Sequence, residues 1–131
     1  MRPLVITGFL LLILAFGCRQ PESAEEVETR ISKSEVLQRL DKLCTELPKP
    51  EGFKFVRKSI SGNSYTVSLS YDFRAHMSYD KVYDFYRREL TSLGWKPGPS
   101  GYSEKENQQV SVSHVEFGGA DYSLYCAETV N

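Results

Sequence analysis

Three cysteines, two histidines and a scatter of carboxylates are the residues of this 131-residue chain with the greatest chemical reach. Cys44 falls in phase with Leu40, Leu43 and Leu47 at helical spacing, and Cys126 falls in phase with Tyr122 and Leu124 at strand spacing. Both are expected to face a core, and a Cys44–Cys126 disulfide is expected if the chain folds in an oxidising compartment. The competing use is a nucleophilic thiolate served by His76 or His114. That needs an electropositive, partly exposed setting, and no nucleophile motif surrounds either cysteine. Neither histidine has a Cys, His or Asp beside it at metal-ligand spacing, so no metal and no cofactor is expected. His76 reads as a loop residue and His114 as solvent-facing. Asp72, Asp80 and Asp84 gather around one loop and the helix after it, where an acid/base pair is conceivable. Acids are favoured in a first helical turn on electrostatic grounds alone, and that is the simpler reading of them. No phosphate-binding loop, nucleophile elbow or zinc-protease helix is present.

Eight tyrosines join flat apolar faces to hydroxyls, the chemistry of a sugar- or peptide-binding surface. Tyr65, Tyr71, Tyr83, Tyr86 and Tyr122 are in phase with core positions. Tyr79, Tyr102 and Tyr125 are left over, and sequence alone does not place them on one patch.

The start of the chain carries a different chemistry. Arg2 supplies a positive charge, Leu4 to Phe16 is an apolar run broken only by Thr7 and Gly8, and Ala15-Phe16-Gly17-Cys18 follows. A spanning helix needs about 20 apolar residues, whereas the apolar part of a signal peptide needs about 7–15. This segment resembles the lipobox of bacterial lipoproteins. The resemblance implies a signal peptide over residues 1–17, removed on export, and a diacylglyceryl anchor on Cys18 as the new N-terminus. Ala15 and Phe16 depart from the family's preference for Leu and a small residue at those positions. Arg19 is not the aspartate that marks inner-membrane retention, which favours the outer membrane if the cell has one. The stretch from Arg19 to Ile31 is rich in glutamate, so residues 18–31 are read as a flexible tether holding the domain about 20 Å from the bilayer.

Residues 32–131 remain for one domain. The precursor has 16 bases and 17 acids, and without Arg2 the balance is 15 against 17, a net charge of −2. Such a balance offers no basic face for nucleic acid.

The elements that must position these residues follow from pattern. Ser32-Lys33-Ser34-Glu35 fits a capping box with Ile31 and Val36 as its staple, opening a helix that Pro48 stops. Phe53 to Ile60 and Tyr65 to Phe73 read as strands around Ser61-Gly62-Asn63-Ser64, and the second alternates cleanly, one face buried and one solvated. Ser78 caps a second helix carrying Val82, Tyr83, Tyr86, Leu90 and Leu93, with Asp84 facing Arg87 and Arg88; Gly94 and Trp95 end it as a Schellman motif. A loop over 96–101 leads to three shorter strands, about 102–106, 110–117 and 122–128; the apolar phase slips between Val112 and Val115, which a bulge near Ser113 or a strand covered on both faces would explain. The expected fold is α+β: an antiparallel sheet of about five strands with two amphipathic helices on one face, in the order α-β-β-α-β-β-β. The run from Ser78 to Trp95 is similar to a helix of many small exported bacterial domains of unassigned function, a resemblance that bears on the fold and implies no activity.

The function these patterns point to is a non-catalytic lipoprotein of the cell envelope, lying outside the cytoplasm, whose domain binds another protein or a cell-wall component. The alternative is a small hydrolase with an unrecognised site. The expected contacts are the membrane, through Cys18, and an envelope partner.

Overall fold

Strict alternation makes a strand two-faced, and in the computed structural model the run Val67, Leu69, Tyr71, Phe73 becomes the buried face of a strand near the middle of one sheet. The structure describes residues 22–116 and 118–130. Their elements run α1 (Ala24–Ser32), α2 (Glu35–Glu46), β1 (Lys54–Gly62), β2 (Thr66–Arg74), α3 (Tyr79–Ser92), β3 (Lys96–Pro97), a 3-10 turn (Pro99–Gly101), β4 (Ser103–Lys105), β5 (Gln108–His114) and β6 (Tyr122–Thr129). The six strands form a single antiparallel sheet in the order β1-β2-β6-β5-β4-β3. The fold class is therefore α+β as expected, with six strands in place of about five, three helices in place of two, and the order α-α-β-β-α-β-β-β-β in place of α-β-β-α-β-β-β.

The added helix lies within the stretch 18–31 read as a tether and corrects that reading for residues 24–31, while residues 18–21 lie outside the described residues. Val27 and Ile31 stand one turn apart and both are buried, so their stripe seats α1 on the domain. Ser23 caps it by accepting from the Glu26 amide at 3.1 Å, and Glu25 and Glu26 occupy the end that favours acids. Glu28 then pairs with Lys58 of β1 at 2.6 Å. Ser32 is consequently the last residue of α1, and the cap of α2 is Ser34, whose Oγ accepts from the Leu37 amide at 3.2 Å. No helix among the described residues is long and apolar enough to cross a membrane. Residues 1–17, read above as a signal peptide, and Cys18 lie outside the described residues.

All three helices cover one face of the sheet. Leu40 and Cys44 of α2 meet Leu69, Leu124 and Cys126, while Val82, Tyr86 and Leu90 of α3 meet the β5 end of the same layer. The opposite face is open and carries Ser59, Ser70, Asp72, Ser111, Ser123 and Tyr125, the polar half of each alternation. Tyr65 departs from its expected core phase: it sits in the turn before β2 and is 73% exposed. The bulge also falls elsewhere. β5 pairs with β6 without a slip as far as His114, and the register shift lies in β1 between Phe55 and Arg57.

Candidate functional site

The second half of the chain builds a place where polar and aromatic groups converge on a recess. Spacing does the first part of the work. On α3, Val82, Tyr86 and Leu90 point into the core, and Tyr79 and Tyr83, four residues apart, lie on one flank with ring centroids 6.1 Å apart. The helix then ends as a Schellman motif: Trp95 N–H donates to Leu90 O at 2.9 Å, Gly94 N–H to Thr91 O at 3.1 Å, and Gly94 takes φ of 90°. Trp95 is thereby buried, and the chain turns back along α3 as β3, the 3-10 turn and β4. Gly98 N–H donates to Tyr102 O at 2.7 Å and closes that hairpin. Gly101, at φ of 80°, sits against the tip of Tyr83, where an added Cβ would lie 3.5 Å from the phenol oxygen.

Between α3 and this hairpin lies a cleft of about 140 Å³. Tyr83 and Tyr102 flank it, Arg87 stands at its edge, and Ser103 and Tyr86 contribute hydroxyl-bearing side chains to its lining. An apolar cavity of about 150 Å³ accepts one benzene ring, so the recess is sized for a single six-membered ring. Tyr86 is only 2% exposed, and its hydroxyl is the sole buried side-chain polar atom without a hydrogen-bond partner among the described residues. Burial pushes the Tyr86 phenol well above the usual tyrosine range, so it stays protonated and able to donate. Beyond the cleft the aromatic surface continues: Tyr79 lies 5.8 Å from the His114 ring and 6.3 Å from Tyr122 by centroid, and its hydroxyl donates to Val112 O at 3.3 Å. Tyr122 in turn donates to Met77 O.

Coordinates thus place two of the three leftover tyrosines. Tyr79 and Tyr102 are joined through Tyr83, whereas Tyr125 belongs to the open face of the sheet beside Ser70 and Ser111. His114 is part of the aromatic surface, while His76 is exposed in the loop before α3 with its ring against Gly52. The carboxylates do not gather. Asp72 pairs with Arg57 at 2.9 Å on the open face, and Asp80 and Asp84 are exposed on α3. Asp84 forms no ion pair with Arg87 or Arg88; the Arg88 guanidinium reaches only the Asp84 carbonyl, at 3.4 Å. Among the described residues no group of three or more His, Cys, Asp or Glu is placed to hold a metal.

Cys44 and Cys126 form a disulfide with Cα atoms 6.3 Å apart, tying α2 to β6 in the middle of the core. Two polar clusters that pattern reading did not foresee flank it. Tyr71 donates to the Asp41 carboxylate and sits 2.9 Å from the Thr45 hydroxyl. Lys58 lies over the Tyr71 ring and pairs with both Glu28 and Asp41. Burial alone would lower the Lys58 pKa, but its bonds to these two carboxylates outweigh that and raise it. Glu128, nearly buried at the end of β6, is held by a two-pronged bond from Arg39 (3.1 and 2.6 Å) and one from Gln108 at 3.2 Å. The Arg39 bond holds the Glu128 carboxyl below its usual range despite its burial. Each of these clusters ties a helix to the sheet through bonds within the domain.

Compared with protein-family models, with characterised proteins and with solved structures, the chain matches none of them.

Proposed function

We propose that this chain is a non-catalytic lipoprotein of the cell envelope, anchored through Cys18, whose domain binds a saccharide of the cell wall in the cleft between α3 and the β3–β4 hairpin. The observation that carries this reading is the cleft itself: a ring-sized recess flanked by Tyr83 and Tyr102, with unsatisfied hydroxyl capacity at Tyr86. Tyrosine provides a flat apolar face for the C–H side of a sugar ring and a hydroxyl for its edge, at little cost in side-chain entropy. A buried core disulfide, Cys44–Cys126, supports residence in a compartment where such bonds persist.

Two measurements test the two halves of the proposal. Cys18→Ser is expected to abolish radioactive palmitate labelling in cells, and labelling equal to the parent's would remove the anchor from the reading. Titration of the full chain in detergent with N-acetylglucosamine oligomers is expected to show saturable binding, followed by chemical shifts at Tyr83 and Tyr102. That binding should be lost in the Tyr83→Ala/Tyr102→Ala double variant, with no cleavage of the oligomers. Oligomer binding that survives the double variant, or turnover of the oligomers, would refute it.

A further inference from the structure

Arg87 gives the cleft a charge preference. It lines the recess together with Tyr83 and Tyr102, and it also borders a shallow basin on the outer side of α3 that contains Lys81 and Arg88. Arg87 is thus the one cation among the described residues that lines the cleft, the neighbouring basin holds Lys81 and Arg88 with Asp84, and Arg87 forms no ion pair among the described residues. An unpaired guanidinium offers a planar fork of donors that matches a carboxylate, and a ring seated in the cleft would carry its substituents out to that rim.

We infer that the ligand of this cleft is a sugar acid: a pyranose ring held between Tyr83 and Tyr102 whose carboxylate is gripped by Arg87 at the rim. Ser103 adds a hydroxyl beside the ring. Tyr86 also lines the recess, and its hydroxyl is buried without a partner of its own. Glu104 lies close to Gly98 of the hairpin lining, and its negative charge opposes an anion at that end of the cleft. The carboxylate is accordingly placed toward α3, where Arg87 stands.

The inference rests on the saccharide reading above, and the test separates the two. The probes are N-acetylmuramic acid and N-acetylglucosamine, which share a ring and differ by a lactyl carboxylate. Both are titrated at pH 7 and low salt into the full-length chain in detergent, by calorimetry. The acid is expected to bind at least ten-fold more tightly, the gain usual for a charge-assisted bond of this kind. The difference should shrink as salt is raised. Arg87→Gln should bring the acid's Kd to that of the neutral sugar measured on the same variant, so that the preference is lost. Arg87→Lys should recover only part, because an ammonium keeps the charge and loses the fork. Equal binding of the two sugars by the parent, or an unchanged preference in Arg87→Gln, overturns the carboxylate inference and leaves the saccharide reading standing. Binding of neither sugar overturns both. Arg87 is exposed and bonds to no other side chain, so circular dichroism of the variant is expected to match the parent.

Discussion

The Cys44–Cys126 bridge sets the largest single perturbation available in this domain. It joins residues 82 apart in sequence, and cross-linking such a loop removes from the unfolded ensemble a chain entropy worth about 4–5 kcal/mol at 25 °C. Measured disulfides reach this ceiling incompletely, so a loss of about 3–4.5 kcal/mol is expected on removing the bond. A domain of about 110 residues unfolds with an entropy near 0.23 kcal/mol per kelvin at its midpoint, which turns that loss into a fall in Tm of about 13–20 °C. Cys44→Ala and Cys126→Ala should each show the fall, and the double variant should add little, because the bond is broken once. Both sulfurs are fully buried, so a reductant must wait for the domain to open, and reduction should be slow in buffer and fast in denaturant. The assay is thermal unfolding of these variants on a Cys18→Ser background, with thiol titration after denaturation. That background should show no free thiol. Two free thiols per chain, or single variants within about 1 kcal/mol of the parent, would refute the reasoning.

Three further outcomes follow from other parts of the molecule. Val27→Ala should cost about 2 kcal/mol by denaturant unfolding, since Val27 is 2% exposed beneath α1; no change would mean that residues 24–32 are not docked on the domain. Glu128 titrates below its usual range in the folded state, so its contribution is present above about pH 4.5 and disappears as pH falls through the folded value. The parent should therefore lose stability below about pH 4.5 more steeply than Glu128→Gln, and parallel pH–Tm curves would exclude the Arg39–Glu128 pair as the cause. Tyr86→Phe removes a buried hydroxyl that bonds to nothing and should leave the domain as stable as the parent or up to about 1 kcal/mol more so; a loss above 1 kcal/mol in urea unfolding would show that the hydroxyl has a partner.

Sequence pattern read the strands and the later helix well because each is specified locally. The alternation from Val67 to Phe73 needs no knowledge of the sheet's order, and the Gly94-Trp95 ending of α3 is fixed by the one residue type that tolerates its backbone. The first helix was lost to composition. Four glutamates between Glu22 and Glu28 look like solvated chain, yet Ser23-Ala24-Glu25-Glu26 has the same Ser-x-x-Glu spacing that was recognised nine residues later, and Val27 and Ile31 supply the stripe. At the second copy of that spacing the motif misled, because Ser32 closes one helix while Ser34, two residues on, opens the next. Two caps this close in sequence cannot be assigned without knowing that the chain reverses between them.

The cleft shows the same division between local and distant information. Tyr79 and Tyr83 at i and i+4 are legible as neighbours on one flank of α3, and Arg87 extends that flank by another turn. Tyr102 is brought to them only by the Schellman reversal at Gly94 and the short β3–β4 pairing, whose two-residue strand Lys96-Pro97 has no periodicity to read. Tyr83 was placed in the core by its phase. It is in fact half-buried, because the hairpin lies alongside α3 and covers one side of the ring while leaving the other to the recess. The pairing residues of the bridge, by contrast, were legible from phase together with the expectation of export, since a disulfide in a two-layer fold joins the inward stripe of a helix to the inward face of a strand. Core chemistry was therefore readable from this sequence and surface chemistry was not: burial leaves a period in the chain, and a cleft assembled from three unrelated segments leaves none.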